Sequence, residues 1–179
     1  MLRRTGLIAL VALALAGAAQ AEVVSAEAGG FQVRRTYTVA AGRDRVWAAL
    51  LAPADWWESS HSWFGDARRM TIEPRAGGCF CETGAEGAAA RHGTVFLFIP
   101  RDRLVLRGPL GPLQGMGVEG ALTVNLADAA AGATTVEMTY AVGGWAPGGL
   151  AGLAGPVDGV LGHQFDRLKA FVETGTAAP

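Results

Sequence analysis

From Phe31 to Val39 apolar and polar positions alternate, with Phe31, Val33, Tyr37 and Val39 on one parity and Arg35 as the exception among them, which predicts a half-buried strand. Val46, Trp47, Leu50 and Leu51 then recur at helical spacing, so a short amphipathic helix is expected over Arg43 to Leu51, ended by Pro53. Pro53 to Glu58 reads as a second helical turn with proline at its first position, and it leads into the aromatic stretch Trp56, Trp57, Trp63 and Phe64. Strand patterns follow at Met70–Glu73, Cys79–Thr83, Thr94–Ile99, Arg103–Arg107, Val118–Leu126 and Thr134–Val142. The intervening turns, Pro74–Gly78, Gly84–Ala89, Pro100–Asp102 and Ala129–Gly132, are too short to hold a crossover helix, so the sheet must be mostly antiparallel. Beyond the glycine-rich Gly143–Gly149, the positions Leu150, Leu153, Val157, Val160, Leu161, Gln164, Phe165, Leu168, Phe171 and Val172 share one helical arc. That arc predicts a long closing helix from Gly149 to Glu173, with Pro156 either kinking it or lying in its first turn.

Composition narrows the class. Of 179 residues, 50% are hydrophobic and 17% charged, which suits one packed domain and excludes a disordered chain. The 26 glycines follow no Gly-X-Y period, so they serve turns and close approaches rather than a collagen helix. With 15 basic against 16 acidic side chains and no basic cluster beyond a pair, no nucleic-acid partner is expected. Arg3 and Arg4, the apolar run Leu7 to Ala16, and Ala19-Gln20-Ala21 together read as a secretory signal peptide cleaved after Ala21. The run is about half the ~20 residues of a membrane span, so the expectation is a periplasmic or secreted protein with no stable membrane anchor after cleavage. Residues 22–30 are expected to be a linker, 31–173 the domain, and 174–179 a disordered tail.

The segments VAAGRDRVWAALLAPADWW, EPRAGGCF, HGTVFLFIPRDRLVL, EGALTVNL with TTVEMTYAV, and DGVLGHQFDRLKAFVE resemble the SRPBCC or START-like helix-grip superfamily. Within it they are most similar to the branch that groups activators of a heat-shock chaperone ATPase with polyketide-cyclase-like proteins. The likeness spans Phe31 to Glu173, and Pro109 to Thr123 (PLGPLQGMGVEGALT) resembles the signature of an exported bacterial subgroup. It implies an α+β fold: a curved antiparallel sheet of about seven strands wrapped around the long C-terminal helix, with two short helices after the first strand. It also implies an apolar cavity between sheet and helix for a hydrophobic small molecule; no cofactor and no metal are expected. This fold hosts many chemistries, so the site must be argued from its residues. Direct activation of a cytosolic chaperone is disfavoured, because export would separate the two.

No Gly-x-Ser-x-Gly, phosphate-binding glycine loop or His-Glu-x-x-His is present. The leading reading is therefore an exported small-molecule binder. Its rivals are a cyclase- or hydrolase-like enzyme using polar cavity residues, and an envelope chaperone or interaction module. Cys79 and Cys81 stand two apart in a strand, with Cα atoms ~6.6 Å apart, so a mutual disulfide would need a local bend and two thiols are expected. Cys-x-Cys with His92 is not a standard zinc spacing. At least two of Trp56, Trp57, Trp63 and Phe64 are expected to pack. His61 and His163 read as solvent-facing, whereas Gln164 falls inside the apolar arc and must find a partner, either backbone or ligand. The loop Gly108–Gly117, with Leu110, Leu113 and Met116, suits a cavity rim.

If chemistry exists, Glu82 and His92 are the candidate catalytic pair. A hairpin centred near Gly87 sets them opposite each other and puts Phe80, Glu82, His92, Phe96 and Phe98 on one inward face, with Cys79 and Cys81 behind. The carboxylate would favour the imidazolium unless burial reverses the effect. The expected ligand contacts are these five residues with Trp56, Trp57, Leu113, Met116, Tyr140 and Gln164.

Overall fold

A computed structural model describes residues 20–177. The expected signal segment lies outside the described residues, apart from the backbone of Gln20 and Ala21. Eight strands form one antiparallel sheet in the order β1-β2-β8-β7-β6-β5-β4-β3: β1 (Gln20–Glu27), β2 (Gly30–Val39), β3 (Met70–Ile72), β4 (Cys79–Thr83), β5 (Ala89–Ile99), β6 (Arg103–Arg107), β7 (Gly117–Asp128) and β8 (Thr134–Trp145). Helices α1 (Arg43–Leu50) and α2 (Ala154–Thr174) carry the core against the sheet's concave face, giving the helix-grip arrangement. Single 3₁₀ turns fill the path from α1 to β3, the first with Pro53 at its start. Pro156 lies in the first turn of α2, where its missing N–H costs nothing.

Segment 22–30 is not a linker. β1 pairs along β2 through Glu27↔Gly30, and it escapes a pattern reading because its side chains from 22 to 27 are all exposed, Val23 and Val24 among them. The tail is likewise shorter than expected, since Thr174 belongs to α2, Gly175 N–H bonds to Phe171 O, and Ala177 packs partly on the core.

Arg35, out of place in the apolar parity of β2, faces α2 and forms a two-pronged ion pair with Asp158 at 2.8 and 2.7 Å. The helix lets it through at Gly162, where any Cβ would collide with the guanidinium. Around this pair Leu161, Phe165, Leu168 and Val172 bury against the sheet, with the Phe165 ring 6.1 Å from Tyr37 and from Trp56.

The β4–β5 hairpin differs from its expected register. Its turn is centred on Glu86, where Glu86 and Gly87 both adopt left-handed backbone, so Thr83 faces Ala89 and Glu82 faces Ala90 rather than His92. Further along, Phe80 faces Gly93 while Cys81 faces Arg91, which makes His92 the extra residue of a β-bulge. A second shift, between Val95 and Leu97, leaves Phe96 without a partner in β6. Phe96 therefore points outward, 65% exposed beneath the Arg107 guanidinium, and is no part of the inner face. Phe98 returns inward but packs on Trp47 of α1.

The bulge also changes the cysteines. With β4 bent between Phe80 and Cys81, the Cα atoms of Cys79 and Cys81 lie 5.4 Å apart, and the two residues form a disulfide instead of remaining free thiols. They sit behind Phe80 and Glu82, on the outer face, as the parity required.

Candidate functional site

A cavity of about 400 Å³ opens at the N-terminal end of α2. One wall is α2 with its preceding turn, through Leu153, Pro156, Val157, Val160 and Leu161. Facing it are Trp57, the Ser60–Trp63 segment, His92 of β5 and Tyr140 of β8, and Leu110 to Leu113 with Met116 form the rim. The far end of the grip is closed by side chains, including the Trp47–Phe98 contact and Trp56, whose indole donates to Ala49 O at 2.8 Å.

Of the expected contacts, Trp57, His92, Leu113, Met116 and Tyr140 reach the cavity wall. Trp56 is core, Phe98 is partly buried against the core, and Phe96 is outside. Phe80, Glu82 and Gln164 stand one layer back, each behind a residue that does line the space. The Phe80 ring lies between Trp57 and His92, with centroids 5.8 and 5.0 Å away. Ser60, Ser62, Leu153, Pro156 and Val157 line the space without being among the expected contacts, and Leu110 lines it with the rest of its loop. The helical arc already pointed at Leu153 and Val157, but an arc cannot say where it meets side chains and where it meets space.

Glu82 is fully buried, and each of its carboxylate oxygens accepts a backbone hydrogen bond, from Trp63 N at 3.0 Å and Phe64 N at 2.8 Å. His92 Nε2 approaches the same carboxylate at 3.0 Å. The pair is therefore formed even though the two residues are not register partners: the hairpin is displaced, and the bulge returns the ring to Glu82. The hydrogen bond and charge of Glu82 favour the imidazolium, but burial outweighs them and lowers the His92 pKa from its usual value near 6.5.

A folded-state pKa below the unfolded one means that the unfolded chain takes up the proton more readily. Stability is thus expected to be full above about pH 6.5 and to decline as the pH falls through the His92 folded value. Denaturant unfolding measured between neutral and mildly acid pH should show this slope in the wild type and a shallower one in His92→Gln. Identical slopes would remove His92 from the acid response.

Gln164, also fully buried, is held by loop backbone rather than by the sheet or an open ligand position. Its Oε1 accepts from Glu58 N at 2.8 Å, which fixes the amide so that Nε2 meets His61 Nδ1 at 3.2 Å. His61 Nδ1 is the acceptor there, with the ring at the exposed rim. His163 is half-buried, its ring 6.2 Å from His61 and its Nε2 3.7 Å from Glu58. Burial opposes ionisation of Glu58, but Arg167 at 3.0 Å, the Ser60 backbone and His163 prevail and hold its carboxyl below the usual range.

Tyr140 ties the rim to the sheet: its hydroxyl accepts from Leu110 N at 2.9 Å and donates to Gly108 O at 3.4 Å. Burial, with Glu119 adding to it and the Leu110 N–H opposing, pushes its pKa up to about 12, so the hydroxyl keeps its proton.

The fold and this space define a helix-grip protein with a partly open, largely apolar pocket. No family model matches the chain, and no curated protein matches it. Solved structures do share the fold. CalU16 from Micromonospora echinospora aligns at 17% identity over 89% of this chain and 88% of its own, with a TM-score of 0.56. EF2215 from Enterococcus faecalis, a protein of unknown function, aligns at 12% identity over 90% and 80%, TM-score 0.61. DynU16, from the dynemicin biosynthetic locus, aligns at 23% identity and TM-score 0.56, over 82% of this chain and 48% of its own. At these identities the likeness is one of fold.

Proposed function

We propose that the protein binds an apolar or amphipathic small molecule between its sheet and α2, as an exported member of the SRPBCC or START-like superfamily. The observation that carries this reading is the cavity itself. About 400 Å³ lies within the range of small-molecule sites, and its wall is apolar apart from a few convergent polar groups. The membership rests on the segments quoted above and on the shared fold, and the branch with polyketide-cyclase-like proteins is the nearest in those segments. DynU16, a solved protein of like fold, comes from a biosynthetic locus, which sits well with small-molecule chemistry. Export is supported by the N-terminal charge and apolar pattern together with the Cys79–Cys81 disulfide, a bond that persists in oxidising compartments.

Native mass spectrometry of protein purified from its own envelope is expected to show a non-covalent small-molecule adduct. After delipidation, a ligand at about 100 times its Kd should raise Tm by about 5 °C or more. Protein that carries no adduct, and that no apolar compound stabilises, would refute the reading. A second reading, an enzyme of cyclase or hydrolase type, is favoured by one arrangement: an imidazole on the cavity wall backed by a buried carboxylate, the geometry of a general base. A bound molecule whose mass changes on incubation would select it.

A further inference from the structure

We infer that the inner end of the cavity recognises a hydroxyl group: the molecule bound is uncharged and carries an alcohol or phenol whose hydrogen is donated to His92 Nδ1. This rests on the cavity being a ligand site, and the argument is one of donor and acceptor supply. Both Glu82 oxygens already accept backbone N–H groups, so the carboxylate acts as acceptor toward His92 and the imidazole hydrogen sits on Nε2. The opposite nitrogen, Nδ1, then carries only a lone pair. It has no hydrogen-bond partner among the described residues, it is not among their enclosed unpaired atoms, and the ring it belongs to lines the cavity.

Among the described residues at the inner end, no donor competes for that lone pair. The Tyr140 hydroxyl spends its hydrogen on Gly108 O, and the Leu110 N–H is spent on Tyr140. The inner wall therefore offers an acceptor and no free donor. A ligand carbonyl there would face lone pair to lone pair. A carboxylate or phosphate would fare worse, because no lysine or arginine is among the described residues that line the space. A hydroxyl completes the set, since it satisfies Nδ1 and is itself relieved of the cost of leaving water. The serines and His61 at the mouth lie nearer to solvent, where water replaces any missing partner, so the discrimination belongs to the inner end.

Three probes of one shape separate the cases: naphthol, naphthalene and naphthoate, titrated calorimetrically into the delipidated protein at neutral pH. Naphthol is expected to bind about tenfold more tightly than naphthalene, and naphthoate more weakly than either. In His92→Phe the preference for naphthol over naphthalene should vanish. Because that variant leaves Glu82 with one donor fewer, nitrogen NMR of labelled histidine in the wild type provides a second readout. Nδ1 should bear no hydrogen in the free protein, and its resonance should move with naphthol but not with naphthalene. Equal affinities for naphthol and naphthalene, or a hydrogen on Nδ1, overturn the hydroxyl assignment and leave cavity binding standing. Failure of all three probes to bind overturns the hydroxyl assignment, and only together with the absence of any native adduct and of any stabilising apolar compound does it overturn the binding reading.

Discussion

Glu82→Ala is expected to lower the unfolding free energy by about 3 kcal/mol, because it strands three donors at once. Trp63 N–H, Phe64 N–H and His92 Nε2–H all end on one buried carboxylate, and truncation removes every acceptor they have there. The damage should not stay at the pair. The two backbone donors belong to the segment after Trp57 that walls the cavity, so its amides are expected to lose hydrogen-exchange protection together. Glu82→Gln should cost less, since one oxygen survives, but its new NH₂ must face a backbone N–H and the His92 tautomer is no longer specified. Urea unfolding with amide exchange checks both effects. A change below about 0.5 kcal/mol in Glu82→Ala, within the range of ordinary surface substitutions, would show that the carboxylate does not hold the loop.

A comparable loss, about 3 kcal/mol, is expected of Gly120→Ala, for the opposite reason. Here the fault is excess matter. A methyl group on Gly120 would lie 2.5 Å from the Tyr140 hydroxyl and 2.6 Å from Gly108 O, and the carbonyl is backbone that cannot swing aside. Both atoms belong to the link that anchors the 108–117 rim, so the substitution should unseat the rim as well as strain β7. Tyr140→Phe provides the contrast: it removes the hydroxyl without adding bulk and is expected to cost about 1 kcal/mol. If Gly120→Ala proved no worse than Tyr140→Phe in denaturant unfolding, the close approach at Gly120 would not constrain the rim.

Much of the architecture is legible in local pattern. The bounds of β4 and β6 follow directly from alternation, and α2 differs from the helical arc mainly in where its first turn begins. A strand or helix announces itself through a period of two or of 3.6, and that period is written in neighbouring residues. β1 shows the limit: an edge strand with both faces wet has no alternation to read. Arg35 looked like a blemish in β2, and its reason lies 123 positions away at Asp158.

The candidate site depended on quantities that local pattern does not carry. Glu82 and His92 meet, yet the residue-by-residue pairing expected for them is wrong. A turn centred one position earlier moved the register, and the bulge at His92 restored the contact. The same irregularity drew Cys79 and Cys81 together, and a second one sent Phe96 outward. Gln164 was recognisable as a buried amide in need of partners, but the donor that fixes it is the backbone of Glu58, 106 positions earlier in the chain. The order and type of the elements from β2 onward, and most of their apolar faces, were thus determined by the chain's own periodicities. Register, bulges and the unfilled space beside α2 were decided only when the sheet closed on the helix, because each is a balance of contacts between segments far apart in sequence.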